Sequence, residues 1–207
     1  MIVIPKLKLL LTHTPKTGGS AITEALFPWI DEHLKENAPE VGMRGWQTRY
    51  HRGGMHSRPG PWARTLIEDE GYRHAATLRN PFRRVESFFA YHESSYGGSF
   101  QAFCDDLPVV RRGVQRGGRG SLYPATYLTK GLPVHWWIHQ ERLQDDLYAC
   151  LRGLGVRGYP KVRRRNERPT GLPTRPLREL FTEETVARVA EVYAKDIELG
   201  GYEAPEV

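Results

Sequence analysis

The chain has 207 residues, a length that suits a single domain, residues 1–207, with a core large enough to need no disulfide or metal. Its two cysteines, Cys104 and Cys150, form no C-x-x-C or Cys/His pattern, which argues against a secreted disulfide scaffold and a structural zinc site. The formal net charge of +6 favours anionic partners, such as phosphorylated cofactors, acidic glycans or nucleic acid.

Apolar runs along the chain are all shorter than the roughly 18 residues that a transmembrane helix requires. The N-terminal apolar stretch at residues 7–11 is too short for the core of a signal peptide and has no small-residue cleavage site. We therefore expect a cytoplasmic protein without a membrane span.

The first elements in chain order predict a strand, a loop and a helix. Residues 6–12 read as a strand that is buried in its second half, and they run directly into the loop at residues 13–20. Residues 21–34 predict a helix, with Ser20 as its N-cap and Pro28 as an interruption. This order predicts one three-layer α/β domain with a central parallel sheet and a phosphate-binding strand-loop-helix unit.

The next region predicts a second strand-to-helix connection. Residues 38–63 are rich in glycine and proline and are predicted as a loop, and a helix follows at residues 62–70. A short strand is predicted at residues 74–78. Pro81 then suits the first turn of a helix that runs to about residue 92.

The rest of the chain begins with a Gly- and Arg-rich stretch, residues 93–125, which we predict to be a long surface excursion. The last helix should begin near Thr182, with two glutamates in its first turn, and end at Gly200 and Gly201, which suit a C-terminal cap. Between them we predict a strand, an amphipathic helix, a basic run and a proline-rich linker, at residues 134–138, 141–151, 161–166 and 167–176.

The loop after the first strand has the composition of an anion cradle. Its glycines allow close approach of a ligand to the backbone, and the helix N-terminus directs N–H groups to the same place. A lysine adds a mobile positive charge, and two hydroxyl groups add donors. The lysine precedes the glycines, which excludes a Walker A loop, and G-x-G-x-x-G is absent. The alternative is a turn that only caps the helix. The residues of the predicted cradle are Pro15, Lys16, Thr17, Gly18, Gly19 and Ser20.

A second candidate phosphate site follows the strand at residues 74–78. Arg79 stands at the carboxyl end of that strand, where open α/β sheets bind ligands, and Ser87 lies two turns along the next helix. An arginine and a serine hydroxyl make a good pair for a phosphate, although the pattern can also be purely structural. Arg83 and Arg84 are interpreted as solvated helix residues.

The two motifs together resemble the PAPS-dependent sulfotransferase superfamily, where PAPS is 3'-phosphoadenosine-5'-phosphosulfate. The resemblance is closest to the branch with the heparan sulfate 2-O- and 6-O-sulfotransferases and their bacterial relatives. Residues 13–20 match the H-x-P-K-T-G-G-[ST] motif of that branch, and residues 79–87 match R-[ND]-P-x-x-R-x-x-S. Residues 134–151 are similar to its later strand, acidic residue and helix, and residues 196–202 to its final D-x-x-x-x-G-Y pattern.

The resemblance implies a donor site for PAPS, with adenosine 3',5'-bisphosphate (PAP) as product, and it implies no metal. Residues 16–20 would grip the 5'-phosphosulfate, while Arg79 and Ser87 would hold the 3'-phosphate. The family often closes a loop over the nucleotide, and the matching basic run here contains Arg164, Arg165 and Asn166.

Sulfo transfer needs in-line geometry, stabilisation of the leaving oxygen and a general base for the acceptor hydroxyl. By resemblance, Lys16 contacts the bridging oxygen, and His56 in a Gly-x-His segment is the base, with His51 and Glu24 as rivals. His13 is expected to support the loop. Three further histidines are expected to pack or face solvent, namely His92, His135 and His139. By the same resemblance, the acceptor would be a hydroxyl of a glycan, a lipid or a small metabolite.

Three other functions compete with this reading. A nucleotide-binding phosphoryl transferase is disfavoured by the absence of a Walker A order and of a clear acidic Mg²⁺ site. A basic nucleic-acid-binding module would explain the charge and the arginines of residues 111–119, but it leaves both motifs unexplained, so we expect no nucleic-acid partner. A sulfotransferase fold that binds the nucleotide without catalysis is the third.

Overall fold

The computed structural model describes residues 1–29, 60–107, 122–158, 160–163 and 176–207. Within them the chain forms a four-stranded sheet with helices on both of its faces. The strands and helices in chain order are β1 (Ile2–Ile4), β2 (Leu9–Thr12), α1 (Gly19–Leu26), α2 (Pro61–Glu68), β3 (Arg73–Leu78), α3 (Pro81–Phe89), α4 (Phe100–Asp105), α5 (Ala125–Leu128), β4 (Trp136–His139), α6 (Leu143–Gly153), α7 (Leu177–Leu180) and α8 (Glu183–Gly200).

The sheet has the strand order β1-β2-β3-β4. Strands β2, β3 and β4 run parallel, with Leu11 opposite Ala75 and Ala75 opposite Trp136. The α/β class is confirmed, and the parallel arrangement holds for these three strands. Strand β1 was not predicted and pairs antiparallel to β2. A 3₁₀ turn at Pro5–Leu7 and a left-handed Lys8 reverse the chain between them.

Side chains alternate between the two faces of β2, and each face is covered by helices. Leu9 and Leu11 join a core with residues of α1 and α6, including Ile22 and Leu147. Leu10 points to the opposite face and packs in a smaller cluster with Ala63 of α2 and with Met1 and Tyr72. The near-continuous apolar run of β2 is the pattern expected for a parallel strand that is buried on both faces.

A separate aromatic core joins α3, α4 and α8. Phe100 and Phe103 of α4 are 6% and 1% exposed and contact Phe89 of α3, with ring centroids 5.1 and 5.4 Å from it. The prediction of a surface excursion over residues 93–125 is therefore wrong at α4, because its apolar residues are buried in this core. Residues 108–121 lie outside the described part of the chain.

The ends of the helices follow capping rules, with one correction. Helix α8 begins after Thr182, whose side chain forms a capping box with Thr185, and it ends at a left-handed Gly201, as predicted. Helix α1 is capped by Gly18, not by Ser20, and its α-helical part ends at Leu26 because Pro28 falls in a 3₁₀ turn.

Both cysteines are buried thiols, and burial raises the pKa of Cys104 and of Cys150 to about 12. Across the described residues, none of the helices has the length and apolar character needed to cross a membrane. Those residues also contain no group of three or more His, Cys, Asp or Glu side chains that could hold a metal ion.

Candidate anion-binding site

The parallel pairing of β2 and β3 places the two predicted motifs side by side. Thr12 is opposite Ala76, so both strands end at the same edge of the sheet, and the loop of residues 13–20 follows β2 there. Arg79 follows β3 at the same edge. Ligands of open α/β sheets bind in this position, beyond the carboxyl ends of the strands.

Three buried threonines fasten the start of the loop to β3. The Thr14 amide donates to Thr77 Oγ1 over 2.8 Å, and the Thr14 hydroxyl donates to the Thr77 carbonyl over 2.9 Å. Thr17 is 0% exposed, and its Oγ1 lies 2.5 Å from the Thr14 carbonyl and 2.6 Å from Thr77 Oγ1. The prediction that the Thr17 hydroxyl donates to a ligand is therefore wrong, because that hydroxyl is buried in the fastening of the loop.

The two glycines of the loop serve different purposes. Gly18 caps α1 with φ +80°, a left-handed conformation that side chains other than glycine rarely adopt. Gly19 is the first residue of α1, and a Cβ there would lie 1.7 Å from Nε2 of His13. The His13 ring thus occupies the space that a side chain at position 19 would need, and it abuts the start of the helix.

Two arginines of the second motif bind carbonyl groups of the loop. Arg79 Nη1 donates to the Lys16 carbonyl over 2.9 Å, and Arg84 Nε donates to the Pro15 carbonyl over 3.0 Å. Arg84 is only 1% exposed, so its interpretation as a solvated residue is wrong. The interpretation holds better for Arg83, whose side chain is 43% exposed and pairs with a helix neighbour.

These two hydrogen bonds determine the direction of the loop N–H groups. In a trans peptide the N–H points opposite to the C=O, and the described part of the chain has no cis peptide bond. Because the carbonyls of Pro15 and Lys16 point to the arginines, the N–H groups of Lys16 and Thr17 point away from them. The first turn of α1 begins two residues later and adds helix N–H groups and the positive end of its dipole. This arrangement of donors suits an anion.

Lys16 carries the mobile charge of the loop in a left-handed conformation, with φ +65°. Its Nζ lies 3.5 Å from the centroid of the Tyr91 ring, just beyond the end of α3. A cation over an aromatic face is held by about 0.5–1 kcal/mol at an exposed site, so Tyr91 defines a resting position for the ammonium.

The other predicted donor-site residues divide into described and undescribed ones. Ser87 is half-buried on α3, one turn beyond Arg84 and on the same side of the helix. Ser20 and Glu24 are half-buried on α1. The remaining candidates lie outside the described residues, namely His51, His56, Arg164, Arg165 and Asn166.

A histidine-carboxylate pair at the end of β4 was not predicted. His139 Nδ1 lies 2.6 Å from Asp146 Oδ2, which also accepts the His139 amide over 2.8 Å, and Arg142 is close to both side chains. His139 is opposite Leu78 and therefore lies at the same sheet edge as Arg79. His139 is partly buried, as the prediction that it packs or faces solvent allows, and its pairing with Asp146 is the additional finding. The spacing of seven residues across a 3₁₀ turn and a helix start gave no recognisable signal.

The later segments that resemble the sulfotransferase pattern meet the second motif at Glu141. One oxygen of this carboxylate accepts the Asn80 amide over 2.8 Å, and the other accepts the Tyr202 hydroxyl over 3.1 Å. Burial and the Glu141 carboxylate raise the pKa of the Tyr202 phenol. Glu141 therefore joins the start of α3 to the chain beyond α8.

In comparisons with known proteins, the chain matches no family model, no curated protein and no solved structure. The resemblance to sulfotransferases consequently depends on the two motifs, residues 13–20 and 79–87, and it remains a prediction.

Proposed function

We propose that the protein is a sulfotransferase that passes the sulfo group of PAPS to an acceptor hydroxyl. The observation that carries the proposal is the pair of arginine bonds to the Pro15 and Lys16 carbonyls. Because of them, the N–H groups of Lys16 and Thr17 point away from the two arginines, in the loop that carries the Lys16 ammonium and leads into α1. Backbone donors combined with a cation and a helix N-terminus suit a phosphosulfate group.

The residues divide the work of binding between two phosphate groups. The loop of residues 15–20 would hold the 5'-phosphosulfate, and Arg79 with Ser87 would hold the 3'-phosphate. One N–H of Arg79 binds the Lys16 carbonyl, and the guanidinium carries five N–H donors in a fork that matches the geometry of a phosphate. Bound PAPS supplies the sulfo group and a phosphate leaving group. The S–O bond to that phosphate breaks as the bond to the acceptor oxygen forms, and Lys16 stabilises the charge on the leaving oxygen.

A general base must remove the proton of the acceptor hydroxyl. His56 is the first candidate by resemblance, with His51 and Glu24 as rivals. His139 is a further candidate, because Asp146 binds its Nδ1 and thereby favours the tautomer with a proton-accepting Nε2. Single alanine substitutions at His56 and at His139 distinguish these two candidates. Only the loss of the general base should lower kcat while PAP affinity is retained.

The proposal is tested by calorimetric titration of PAP into the wild-type protein and into Lys16→Ala and Arg79→Ala. We expect micromolar binding to the wild type, a loss of at least tenfold in each variant, and little response to ATP. Arg83→Ala is the matched control, since its exposed side chain leaves the loop and its carbonyls untouched. A sulfo-transfer assay with hydroxyl acceptors follows, covering glycans, lipids and small metabolites.

Folded wild-type protein that does not bind PAP would rule out this proposal. Preferential binding of ATP would favour the nucleotide-binding phosphoryl transferase instead. Salt-dependent binding of nucleic acid without PAP binding would favour the basic nucleic-acid module. PAP binding without sulfo transfer to any acceptor would favour the non-catalytic nucleotide-binding form.

A further inference from the structure

Arg84 is a buried charge of the second motif that is not among the residues proposed to contact the donor. It lies in the first half of α3, is 1% exposed, and its guanidinium carbon is 5.6 Å from the centroid of the Tyr193 ring in α8. Burying a guanidinium is expensive unless hydrogen bonds and a counter-charge compensate for the lost water. The groups around the Arg84 guanidinium must therefore compensate for the loss of its hydration.

Asp196 of α8 provides the counter-charge. It is 1% exposed and accepts the Ala125 amide over 2.7 Å, the Thr126 amide over 2.9 Å and the Thr126 hydroxyl over 2.6 Å. Burial lowers the pKa of Arg84, and the nearby Tyr193 and Asp196 act in the opposite direction and favour its charged form. The buried carboxylate thus fixes the start of α5, and its charge favours the charged form of Arg84.

The other partner of Arg84 is the loop itself. Arg84 Nε donates to the Pro15 carbonyl over 3.0 Å, and this bond spans 69 residues of sequence. The Pro15 carbonyl and the Lys16 N–H belong to one trans peptide, so the bond directs that N–H away from α3. Arg79 acts in the same way on the next peptide, but its side chain is only partly buried.

We propose that Arg84 is a positioning residue, which sets the anion-binding geometry of the loop through the Pro15 carbonyl, with Asp196 as its counter-charge. Arg84 does not contact the ligand. The affinity of the loop for a phosphorylated ligand then depends on α8 as well, because Tyr193 and Asp196 of α8 lie near Arg84. The identity of that ligand as PAP rests on the proposed function, whereas the positioning of the loop does not.

The competing role for Arg84 is purely structural, as a buried polar group that stabilises the α3–α8 packing. A structural role predicts that its loss lowers the unfolding free energy but leaves the loop intact in molecules that remain folded. A positioning role predicts a local change in the loop as well. Hydrogen exchange and ligand affinity, both measured under conditions where the variants are folded, separate the two roles.

The test uses Arg84→Met and Arg84→Lys, with Arg83→Met as the matched control on the same helix. We expect Arg84→Met to weaken PAP binding at least tenfold and to speed exchange of the Thr14 and Ala21 amides about tenfold. These two amides are hydrogen-bonded on either side of the loop. The Leu154 amide, bonded to Cys150 in α6, reports general destabilisation and should change less.

Arg84→Lys should recover part of the affinity, because an ammonium keeps the charge and one donor but not the fixed geometry of the guanidinium. Arg83→Met should bind PAP within twofold of the wild type. If Arg84→Met does not fold, PAP affinity and amide exchange are measured in Arg84→Lys and Asp196→Asn instead. Both variants should weaken PAP binding severalfold.

Two outcomes have distinct meanings. Folded Arg84 variants with unchanged loop exchange and unchanged PAP affinity would overturn the positioning role. A wild-type protein that does not bind PAP, together with faster loop exchange in the Arg84 variants, would refute the proposed function and leave the positioning role supported.

Discussion

Two polar networks join β2 and the loop that follows it to β3 and the helix that follows it. They differ in the groups on which their hydrogen bonds end. The first is centred on His74, which is 0% exposed. Its Nε2 lies 2.8 Å from Thr12 Oγ1, and its Nδ1 lies 2.9 Å from the Pro133 carbonyl. The second, at the end of the strands, joins Thr14 and Thr77 and binds the loop carbonyls to Arg79 and Arg84.

The difference lies in how each network ends. The His74 network ends on neutral protein groups, and its ring bonds account for both nitrogens of a neutral imidazole. The loop network binds the carbonyl groups of Pro15 and Lys16, so that the N–H groups of Lys16 and Thr17 point away from the arginines. A closed polar network specifies the core, whereas the loop network holds the residues that are proposed to bind the ligand. The first should govern stability, and the second should govern both stability and ligand affinity.

The largest effect is expected for Gly19→Ala, which attacks the loop network. The new Cβ would lie 1.7 Å from His13 Nε2, and overpacking of this severity should cost about 3–4 kcal/mol of unfolding free energy. PAP binding should be lost as well. Urea unfolding and calorimetry measure the two effects. The double variant with His13→Ala should recover much of the stability, and a single variant as stable as the wild type would contradict the steric account.

Acidification should break the His74 network next. Burial lowers the pKa of His74 from 6.5 to about 4, so the unfolded chain binds a proton between these values and the folded chain does not. Stability is complete above pH 6.5 and falls as the pH drops to 4, by about 3 kcal/mol. Unfolding free energies measured across this window should show that loss. His74→Gln should remove most of this slope, and an unchanged slope would assign the pH dependence to other groups.

Thr77→Val should have an intermediate effect that again belongs to the loop network. It leaves the buried Thr14 amide without its acceptor, which should cost about 2 kcal/mol and weaken PAP binding severalfold. Thr129→Val is the matched control, since Thr129 is buried and bonds only within its own helix and turn. The control should lower stability slightly with no change in PAP affinity. Equal effects of the two variants on affinity would contradict the comparison.

The smallest effect is expected at the exposed edge of the loop. Tyr91→Leu removes the ring that holds the Lys16 ammonium at rest, a contact of about 0.5–1 kcal/mol. Because a ligand must draw the ammonium away from that ring, PAP affinity should rise two- to fivefold, which is about the same free energy. Tyr91→Phe keeps the aromatic face and should bind like the wild type. Weaker binding by Tyr91→Leu would mean that the ring contacts the ligand.

The local parts of the site could be predicted from sequence. The strand before the loop, the glycines, Lys16 and Arg79 lie in short motifs whose residues are close along the chain. The final helix was predicted at both ends because its N-cap threonine and C-terminal Gly201 act within one turn. Local steric and hydrogen-bonding preferences determine such features, and the sequence displays them directly.

The non-local parts could not be predicted, for physical reasons that particular residues illustrate. From the sequence alone, Arg84 looks like an exposed arginine on an amphipathic helix. In the folded chain it binds the Pro15 carbonyl and lies near Asp196, and both groups are distant from it in sequence. Helix α4 was not predicted because the segment around it is rich in glycine and arginine. Its buried side is formed by Phe100 and Phe103. Tertiary packing decides these cases, and neither spacing nor propensity reports it.

The long sequence separation of the loop contacts has a consequence for folding kinetics. Every hydrogen bond that ties the loop to Thr77, Arg79 or Arg84 spans at least 60 residues. The chain must close that long connection and pair two parallel strands before any of these bonds can form, which is a slow, high-contact-order step. Competence to bind an anion should therefore arise late in refolding, together with the β2–β3 pairing, and a nascent chain that ends before α3 should lack it.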